Sequence, residues 1–191
     1  MFGAIFVFVN IFLEVHMREL YTERLILRPF KENDSEAMYR NWTYDERVAK
    51  YCRWYPHKNI EETEQYLKMC MEAEYCWAIT LKEKDEPIGC VDLVGINSVG
   101  VPEIGYVLAY NYWGDGIMTE AVRAVIDELF QCGYERIGAC HCVDNPASGR
   151  VMEKAGMSYV RTCMAQRKFG SDEQCEVKYY EISQGDFIFM I

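Results

Sequence analysis

The chain has 191 residues and a formal net charge of −10, from 20 lysine and arginine residues against 30 aspartate and glutamate residues. Half of the residues are hydrophobic and 26% are charged, which is typical of one folded globular domain and argues against a disordered chain. The acidic balance argues against a nucleic-acid-binding protein, because contacts to phosphates need clustered lysine and arginine. It suits a cationic partner, such as an amine.

Nine cysteine residues are spread along the chain without a Cys-x-x-Cys motif. An odd number does not favour a secreted disulfide framework, so we expect reduced thiols in a cytoplasmic protein. His141 lies between Cys140 and Cys142, but no second pair of cysteine and histidine has the spacing of a metal site. No metal is therefore expected.

The first 16 residues differ in composition from the rest. Residues 1–13 carry no charge, but the run is shorter than the roughly 20 residues of a membrane-spanning helix. It has neither a basic start nor a small-residue cleavage site, so it does not resemble a signal peptide. We predict an apolar extension at 1–16 and one functional domain at 17–191 that binds no membrane. A short membrane-associating tail is the alternative.

Strands and helices are predicted from the spacing of apolar residues and from helix-capping signals. In chain order they are a strand at 24–30, a helix at 34–42, a helix following Asn59, strands at 76–81, 87–96 and 101–109, a helix at 116–132, a strand at 136–143, a helix at 147–155, and strands at 158–166 and 175–182. Asn33 with Glu36, and Asn59 with Glu62, have the spacing of capping boxes. The fold class is α+β, with about seven strands in a mixed sheet and about four helices.

A glycine-rich turn joins the strand at 101–109 to the longest predicted helix. Gly114 and Gly116 allow backbone angles closed to other residues, and they admit the close approach of a ligand. The helix that follows offers N–H groups without partners. Together these features predict an anion site suited to a pyrophosphate, although a Gly-x-Gly turn alone is more often only a tight turn.

A second turn, at 145–148, precedes the short helix. Asn145 follows a strand directly and is read as either the N-cap of that helix or an amide offered to a ligand. Ser148 is read as either a cap or a hydroxyl with a chemical role.

These motifs together resemble a known family. The stretch from Tyr21 to about Ser183 resembles the GNAT superfamily of N-acetyltransferases, most closely the ribosomal-protein alanine N-acetyltransferase (RimJ/RimL-like) branch. The segments that carry the resemblance are TERLILRPF (22–30), PIGCVDL (87–93), EIGYVL (103–108), YWGDGIMTEA (112–121), NPAS (145–148) and VMEKAGM (151–157). The resemblance implies a sheet that is mostly antiparallel and splayed in the middle, acetyl-CoA as donor, and a primary amine as acceptor.

The resemblance also implies which residues bind the donor. The expected positions are Tyr106, Val107 and Leu108 along the pantetheine arm, Trp113, Gly114, Asp115, Gly116, Ile117 and Met118 around the pyrophosphate, and Asn145 near the arm or its thioester. Asn111 stands where the family usually has glutamine or arginine. A carboxylate beside a pyrophosphate is repulsive, so we expect the side chain of Asp115 to point outward.

Acetyl transfer to an amine needs a proton acceptor, an oxyanion donor and an acid. Glu103 is predicted as the base, directly or through a water, and a strand-end carboxylate or a partner of an arginine is the alternative. The backbone near Val107 or Leu108 is the expected oxyanion donor. Many superfamily members carry a tyrosine acid where this chain has Met152. In the branch that this chain resembles, the serine three residues after the asparagine is the usual candidate, so the resemblance implies Ser148 as the acid.

The acceptor is left open: a protein N-terminus, a polyamine, an antibiotic or another small amine. A non-catalytic acyl-CoA-binding or interaction protein on the same fold is the alternative function. Trp54 is read as a wall of the acceptor pocket or simple core, and His57 as a substrate contact or a surface histidine. The chain is expected to be a monomer or a homodimer.

Overall fold

The computed structural model describes residues 17–97 and 99–188, so the predicted extension at 1–16 lies outside the described residues. The strands are β1 (Leu20–Tyr21), β2 (Leu25–Pro29), β3 (Cys76–Leu81), β4 (Lys84–Ile96), β5 (Pro102–Leu108), β6 (Arg136–Cys142), β7 (Ser158–Gln166) and β8 (Gln174–Ser183). The helices are α1 (Ser35–Met38), α2 (Glu46–Ala49), α3 (Ile60–Glu72), α4 (Ile117–Gln131), α5 (Pro146–Lys154) and α6 (Gln184–Ile188).

The strands form one mixed sheet in the order β1-β2-β3-β4-β5-β6-β8-β7. All neighbouring strands are antiparallel except β5 and β6, which are parallel and share a single register pair, Glu103 with Gly138. On its other side, β5 pairs with β4 over seven positions. The two parallel strands therefore diverge after their first residues, and the expected splay in the sheet is confirmed.

Both faces of the sheet are covered by helices. Alternation along β3 shows this: Trp77 and Ile79 join the core that contains α4 and α5, whereas Cys76 and Ala78 join the core that contains α1 and α3. On α4 the stripe of Val122, Val125, Ile126 and Leu129 is fully buried. Each such side chain contributes about 1.5–3 kcal/mol when it leaves water, so this stripe fixes α4 on the sheet.

The ends of α4 follow the predicted signals. Gly116, with φ of 77°, precedes its first residue, and Gly133, with φ of 96°, follows its last turn. At α3, the Asn59 side chain accepts a hydrogen bond from the Glu62 N–H at 3.0 Å, so the predicted cap is confirmed.

The predicted helix at 34–42 is shorter and irregular. A 3₁₀ turn precedes α1, and a π-helical turn over Tyr39–Thr43 follows it. The predicted capping box of Asn33 with Glu36 is wrong. Instead, the Asp34 carboxylate accepts from the Lys31 N–H at 2.8 Å and from both Nη atoms of the buried Arg28 at 2.8 and 2.9 Å. The buried ion pair sets where this segment turns.

The described residues contain eight strands and six α-helices, against about seven and about four predicted. The additional strand is β1, which pairs Leu20 with Leu27. The additional helices, α2 and α6, have four and five residues, too few for a periodic apolar pattern.

Candidate active site

A cavity of about 790 Å³ opens where β5 and β6 diverge. Its wall includes the glycine turn before α4, the start of α5, the β7–β8 hairpin and side chains from α3. The cavity thus reaches from the helix N-terminus on one face of the sheet to the α1–α3 side on the other. Both predicted catalytic residues and nine of the ten predicted donor-binding residues line it; Asp115 is the exception.

The glycine turn has the backbone of an anion site. Gly114 and Gly116 have φ of 92° and 77°, in the left-handed region, and both lie on the cavity wall. The first N–H groups of α4 have no intrahelical partner, and they form the positive end of the helix dipole. The Asp115 side chain is exposed, as expected.

Arg24, which directly precedes β2, hydrogen-bonds to this turn. It is not among the site residues predicted from the sequence. Its Nη1 donates to the Asp115 carbonyl at 2.9 Å, and its Nε donates to the Glu120 carboxylate at 2.7 Å. The Glu120 carboxylate also accepts from the Arg24 N–H at 2.8 Å. An ideal Cβ at Gly116 would lie 3.6 Å from Nη2. The guanidinium therefore fixes the loop conformation and places a positive charge beside it.

The end of β5 is fixed while one of its edges stays open. The Trp113 indole Nε1 donates to the Leu108 carbonyl at 2.8 Å, and the Ala109 N–H donates to the Ile88 carbonyl at 2.8 Å. Beyond Glu103, β6 does not pair with β5. Backbone groups of β5 on that side therefore face the cavity, where an extended ligand could pair with them as a strand does.

Ser148 and Tyr106 form a pair of hydroxyl groups on the cavity wall. The two oxygens are 2.8 Å apart, and the Tyr106 hydroxyl is 3.0 Å from the Ser148 carbonyl. Burial raises the pKa of Tyr106 above its ordinary value, so its proton stays on the ring oxygen. The Asn145 side chain accepts from the Ser148 N–H at 3.3 Å and caps α5. The capping position thus belongs to Asn145, and the Ser148 hydroxyl is turned to Tyr106.

Glu103 lies at the point where β5 and β6 begin to diverge, in the single register pair that joins the two strands. Its side chain is half-buried and lines the cavity. None of the ion pairs formed among residues 17–97 and 99–188 involves it. Burial and the Glu103 charge together raise the pKa of the neighbouring Cys140 to about 11, so that thiol is protonated near neutral pH.

Asp92 is a second carboxylate on the cavity wall, and it is not among the site residues predicted from the sequence. It lies on β4 opposite Gly105. Gly105 is two positions after Glu103 on β5, so Asp92 and Glu103 lie on the same face of the sheet. Burial raises its pKa to about 6, although the side chain keeps some exposure to the cavity. The available signal was the lone acid in the apolar run PIGCVDLVGI (87–96).

Aromatic side chains on the α3 side close this end of the cavity. Trp54 and Tyr66 line the wall, while His57 packs between them with ring centroids at 5.5 and 5.9 Å. The His57 Nδ1 is 2.8 Å from the Thr63 hydroxyl, and burial lowers the pKa of His57. His57 is therefore a half-buried support of the wall and not a surface residue.

Neither a metal site nor a membrane-spanning helix appears in the described residues. His141 is buried, with Nδ1 2.8 Å from the Cys142 carbonyl and Nε2 packed against Gly149. Within 17–97 and 99–188, no group of three or more His, Cys, Asp or Glu side chains could hold a metal ion. In the same ranges, no helix has the length and apolar character needed to cross a bilayer.

Comparison with known proteins gives consistent matches. Residues 24–158 match the family described as the acetyltransferase (GNAT) domain. The chain is 34% identical over 123 residues to the uncharacterized N-acetyltransferase p20 of Bacillus licheniformis, covering 60% of this chain and 67% of that protein. It is 27% identical to the ribosomal-protein-serine acetyltransferase of Escherichia coli (strain K12), covering 83% and 92%.

Solved structures share the fold. A GNAT-family acetyltransferase from Bacillus anthracis superposes with a TM-score of 0.77 at 27% identity, covering 88% of this chain and 99% of that one. RimL, a ribosomal L7/L12 alpha-N-protein acetyltransferase solved with coenzyme A, superposes with a TM-score of 0.73 at 21% identity, covering 87% and 98%. The resemblance to the RimJ/RimL-like branch is confirmed by these relatives, and the chain belongs to the GNAT family of acetyltransferases, which makes it an acyltransferase.

Proposed function

We propose that the protein transfers an acetyl group from acetyl-CoA directly to a primary amine. The observation that carries this proposal is the open edge of β5 leading straight into the glycine turn of α4. An extended amide-containing arm fits the first feature, and a pyrophosphate fits the second. The RimL structure solved with coenzyme A, which has the same fold, supports this donor.

The donor would be held largely by backbone. We propose that β5 at 106–108 pairs with the pantetheine arm and that the turn at 113–118, including the Asp115 N–H, holds the pyrophosphate. Trp113 fixes the end of β5. The amide nitrogen of Asn145 is offered to the arm, because only the side-chain oxygen caps α5. This arrangement lets a protein of net charge −10 bind an anion, since no cluster of basic side chains is required.

The cavity residues supply the chemistry of the transfer. We propose that Glu103 belongs to the path by which the proton leaves the attacking amine. A backbone N–H near Val107 or Leu108 stabilises the oxyanion of the tetrahedral intermediate. Ser148 donates a proton to the leaving thiolate, and Tyr106 orients that hydroxyl at 2.8 Å.

The acceptor is an amine that enters from the α3 side of the cavity. Because one relative is a ribosomal-protein-serine acetyltransferase, a protein N-terminus is one acceptor class to test, beside polyamines and other small amines. No nucleic acid or membrane is needed for this reaction, and we propose that the protein works in the cytoplasm as a monomer or a homodimer.

The test combines donor binding with turnover. Acetyl-CoA binding is measured by calorimetry, and release of free thiol is followed with a panel of amino-terminal peptides, polyamines and small amines. Ser148→Ala should lower kcat about tenfold or more, and Tyr106→Phe by less, while donor affinity stays within about twofold. The exposed Tyr21→Phe is the matched control and should change neither quantity.

Two outcomes would count against the proposal. Tight donor binding without thiol release for every amine would favour a non-catalytic acyl-CoA-binding protein. Normal turnover by Ser148→Ala would show that Ser148 has only a structural role.

A further inference from the structure

The proposed transfer through Glu103, Ser148 and the backbone of β5 gives Asp92 no role. It lies on β4 next to the mouth of the split, and its partners in register are Cys76 on β3 and Gly105 on β5. Beyond its own backbone N–H, no group in the described part of the chain hydrogen-bonds to the carboxylate or carries a charge that pairs with it. A charged group in such a place normally has a partner, so the missing partner points to a ligand.

Gly105 keeps the space over this carboxylate open. An ideal Cβ at Gly105 would lie 3.0 Å from the Asp92 Oδ1 and 2.6 Å from the Val94 Cγ1. Any other residue at 105 would therefore push against the carboxylate or cover it. Gly105 immediately precedes the stretch at 106–108 where the donor arm is proposed to lie, so the open space borders the reacting end of the cavity.

Apart from the Glu103 carboxylate, the groups that face Asp92 are thiols and a phenol whose pKa values are raised, so they remain neutral. Cys90 on β4, Cys52 after α2 and Tyr66 on α3 all feel its charge, and burial raises the pKa of each of them. Cys76, its partner on β3, also has a raised pKa, with hydrogen bonds to Cys70 and Cys90 as the main cause. Glu103 on β5 adds a second carboxylate on the same face.

None of these groups can neutralise Asp92, whose own pKa is about 6 because of burial. A carboxylate with that pKa is mostly ionised at pH 7, yet it holds a proton far better than an exposed one. This is the property of an effective general base near neutral pH.

We propose that Asp92 binds the ammonium group of the amine acceptor, takes its first proton and later releases it to solvent through the cavity. This inference rests on the proposed acetyl transfer. An N–H bond of the ammonium breaks, the electron pair stays on nitrogen, and the proton goes to an Asp92 oxygen. The amine then forms the C–N bond to the thioester carbon, and the carbonyl electron pair moves to oxygen.

Collapse of the intermediate completes the balance. The C–S bond breaks, and the thiolate takes a proton from Ser148. The nitrogen then gives its second proton to the Ser148 oxygen, which restores the Ser148 hydroxyl. The products are the amide, the free thiol of CoA and one proton, which leaves Asp92 for solvent.

The experiment compares pH profiles of isosteric variants with the best amine of the panel. In the wild-type protein, kcat/KM should fall as pH drops through about 6. Asp92→Asn should lower kcat/KM at pH 7 at least about 100-fold and remove the acidic limb of the profile, which is this fall of kcat/KM at low pH. The Kd for acetyl-CoA should stay within about twofold. Glu103→Gln should lower kcat/KM less and keep the limb, because Asp92 still takes the proton.

Two further measurements separate chemistry from folding. Asp92→Glu keeps a carboxylate and should retain an acidic limb with reduced kcat/KM, and the Tm of Asp92→Asn should not fall. The proposal is overturned if Asp92→Asn keeps the limb and loses less than about threefold in kcat/KM, or if Glu103→Gln alone removes the limb. If the wild-type protein releases no thiol with any amine, the acetyl transfer itself is contradicted, and the role of Asp92 with it.

Discussion

The charge on Asp92 should destabilise the folded protein near neutral pH. Its pKa is about 6 in the fold against an ordinary value of 3.8, so between these pH values the folded state binds more protons than the unfolded state. The free energy of unfolding therefore falls as pH rises through this window and levels off above it. A residue that lowers stability and has no partner is typical of a functional site.

The effect can be measured against Asp92→Asn, which carries no charge at any pH. The variant should gain about 1–2 kcal/mol over the wild-type protein between pH 4 and pH 7. The full shift would give about 3 kcal/mol, and the remaining exposure of the carboxylate reduces it. Urea unfolding at each pH measures the difference, and the exposed Asp115→Asn serves as the control. A pH-independent gain would contradict a raised pKa of Asp92 in the fold.

At the scale of elements, the glycine turn and β2 act as one unit through Arg24. The guanidinium joins the Asp115 carbonyl in the turn to the Glu120 carboxylate in α4. These contacts hold the turn in one conformation, which would reduce the entropy cost of binding the proposed donor.

Removal of this support should weaken the donor site without changing the chemistry. We expect Arg24→Gln to raise the Kd for acetyl-CoA about threefold to tenfold, which corresponds to roughly 0.6–1.4 kcal/mol. The value of kcat at saturating donor should stay within about twofold. Arg40→Gln is the matched control, because it breaks another exposed arginine–glutamate pair, with Glu86. An unchanged Kd, measured by calorimetry, would show that the turn holds its shape without Arg24.

Regular elements could be predicted from the sequence, and irregular ones could not. The apolar stripe of α4 and the cap at Asn59 are local signals, and both match the structure. The turns around 34–42 depend on the ion pair of Arg28 with Asp34 and Asp85, and Asp85 is distant in the chain. No local pattern reveals such a contact.

In the candidate site too, local motifs could be predicted from the sequence and long-range contacts could not. The glycine turn and the Asn145–Ser148 segment are each contiguous in the chain, so each could be recognised from the sequence, and the family resemblance implied that both line the donor site. The pairing of Ser148 with Tyr106 spans 42 residues, and that of Arg24 with Asp115 spans 91. Asp92 was missed because strand alternation identifies a buried position but gives no pKa.

At the scale of the whole molecule, Met17 packs against the core that contains α4 and α5. Cys76 donates its backbone N–H to the Met17 Sδ at 3.2 Å, and the buried Trp77 indole donates to the Arg18 carbonyl at 3.0 Å. The start of the domain is thus attached to the middle of the sheet, which supports the proposed boundary at residue 17.

Truncation tests this boundary. A chain starting at Met17 should keep the Tm and the acetyl transfer rate of the full chain within about twofold. A chain starting at Tyr21 is the comparison. It leaves the Trp77 indole without its partner, at a cost of about 1–3 kcal/mol, and it should melt at a lower temperature. Normal folding of the first chain with lost activity would place residues 1–16 inside the functional unit.

The divergence of β5 and β6 leaves two inner strand edges unpaired, one on each strand, in addition to the two outer edges of the sheet. Exposed edges invite pairing with other chains and aggregation. The two inner edges avoid this because they border a cavity walled by helices and a hairpin, and elements that cover a strand edge block such pairing. A slender, unbranched molecule with amide groups could still lie along the open edge of β5. The cavity thus leaves the backbone of β5 open for pairing and limits which molecules can reach it.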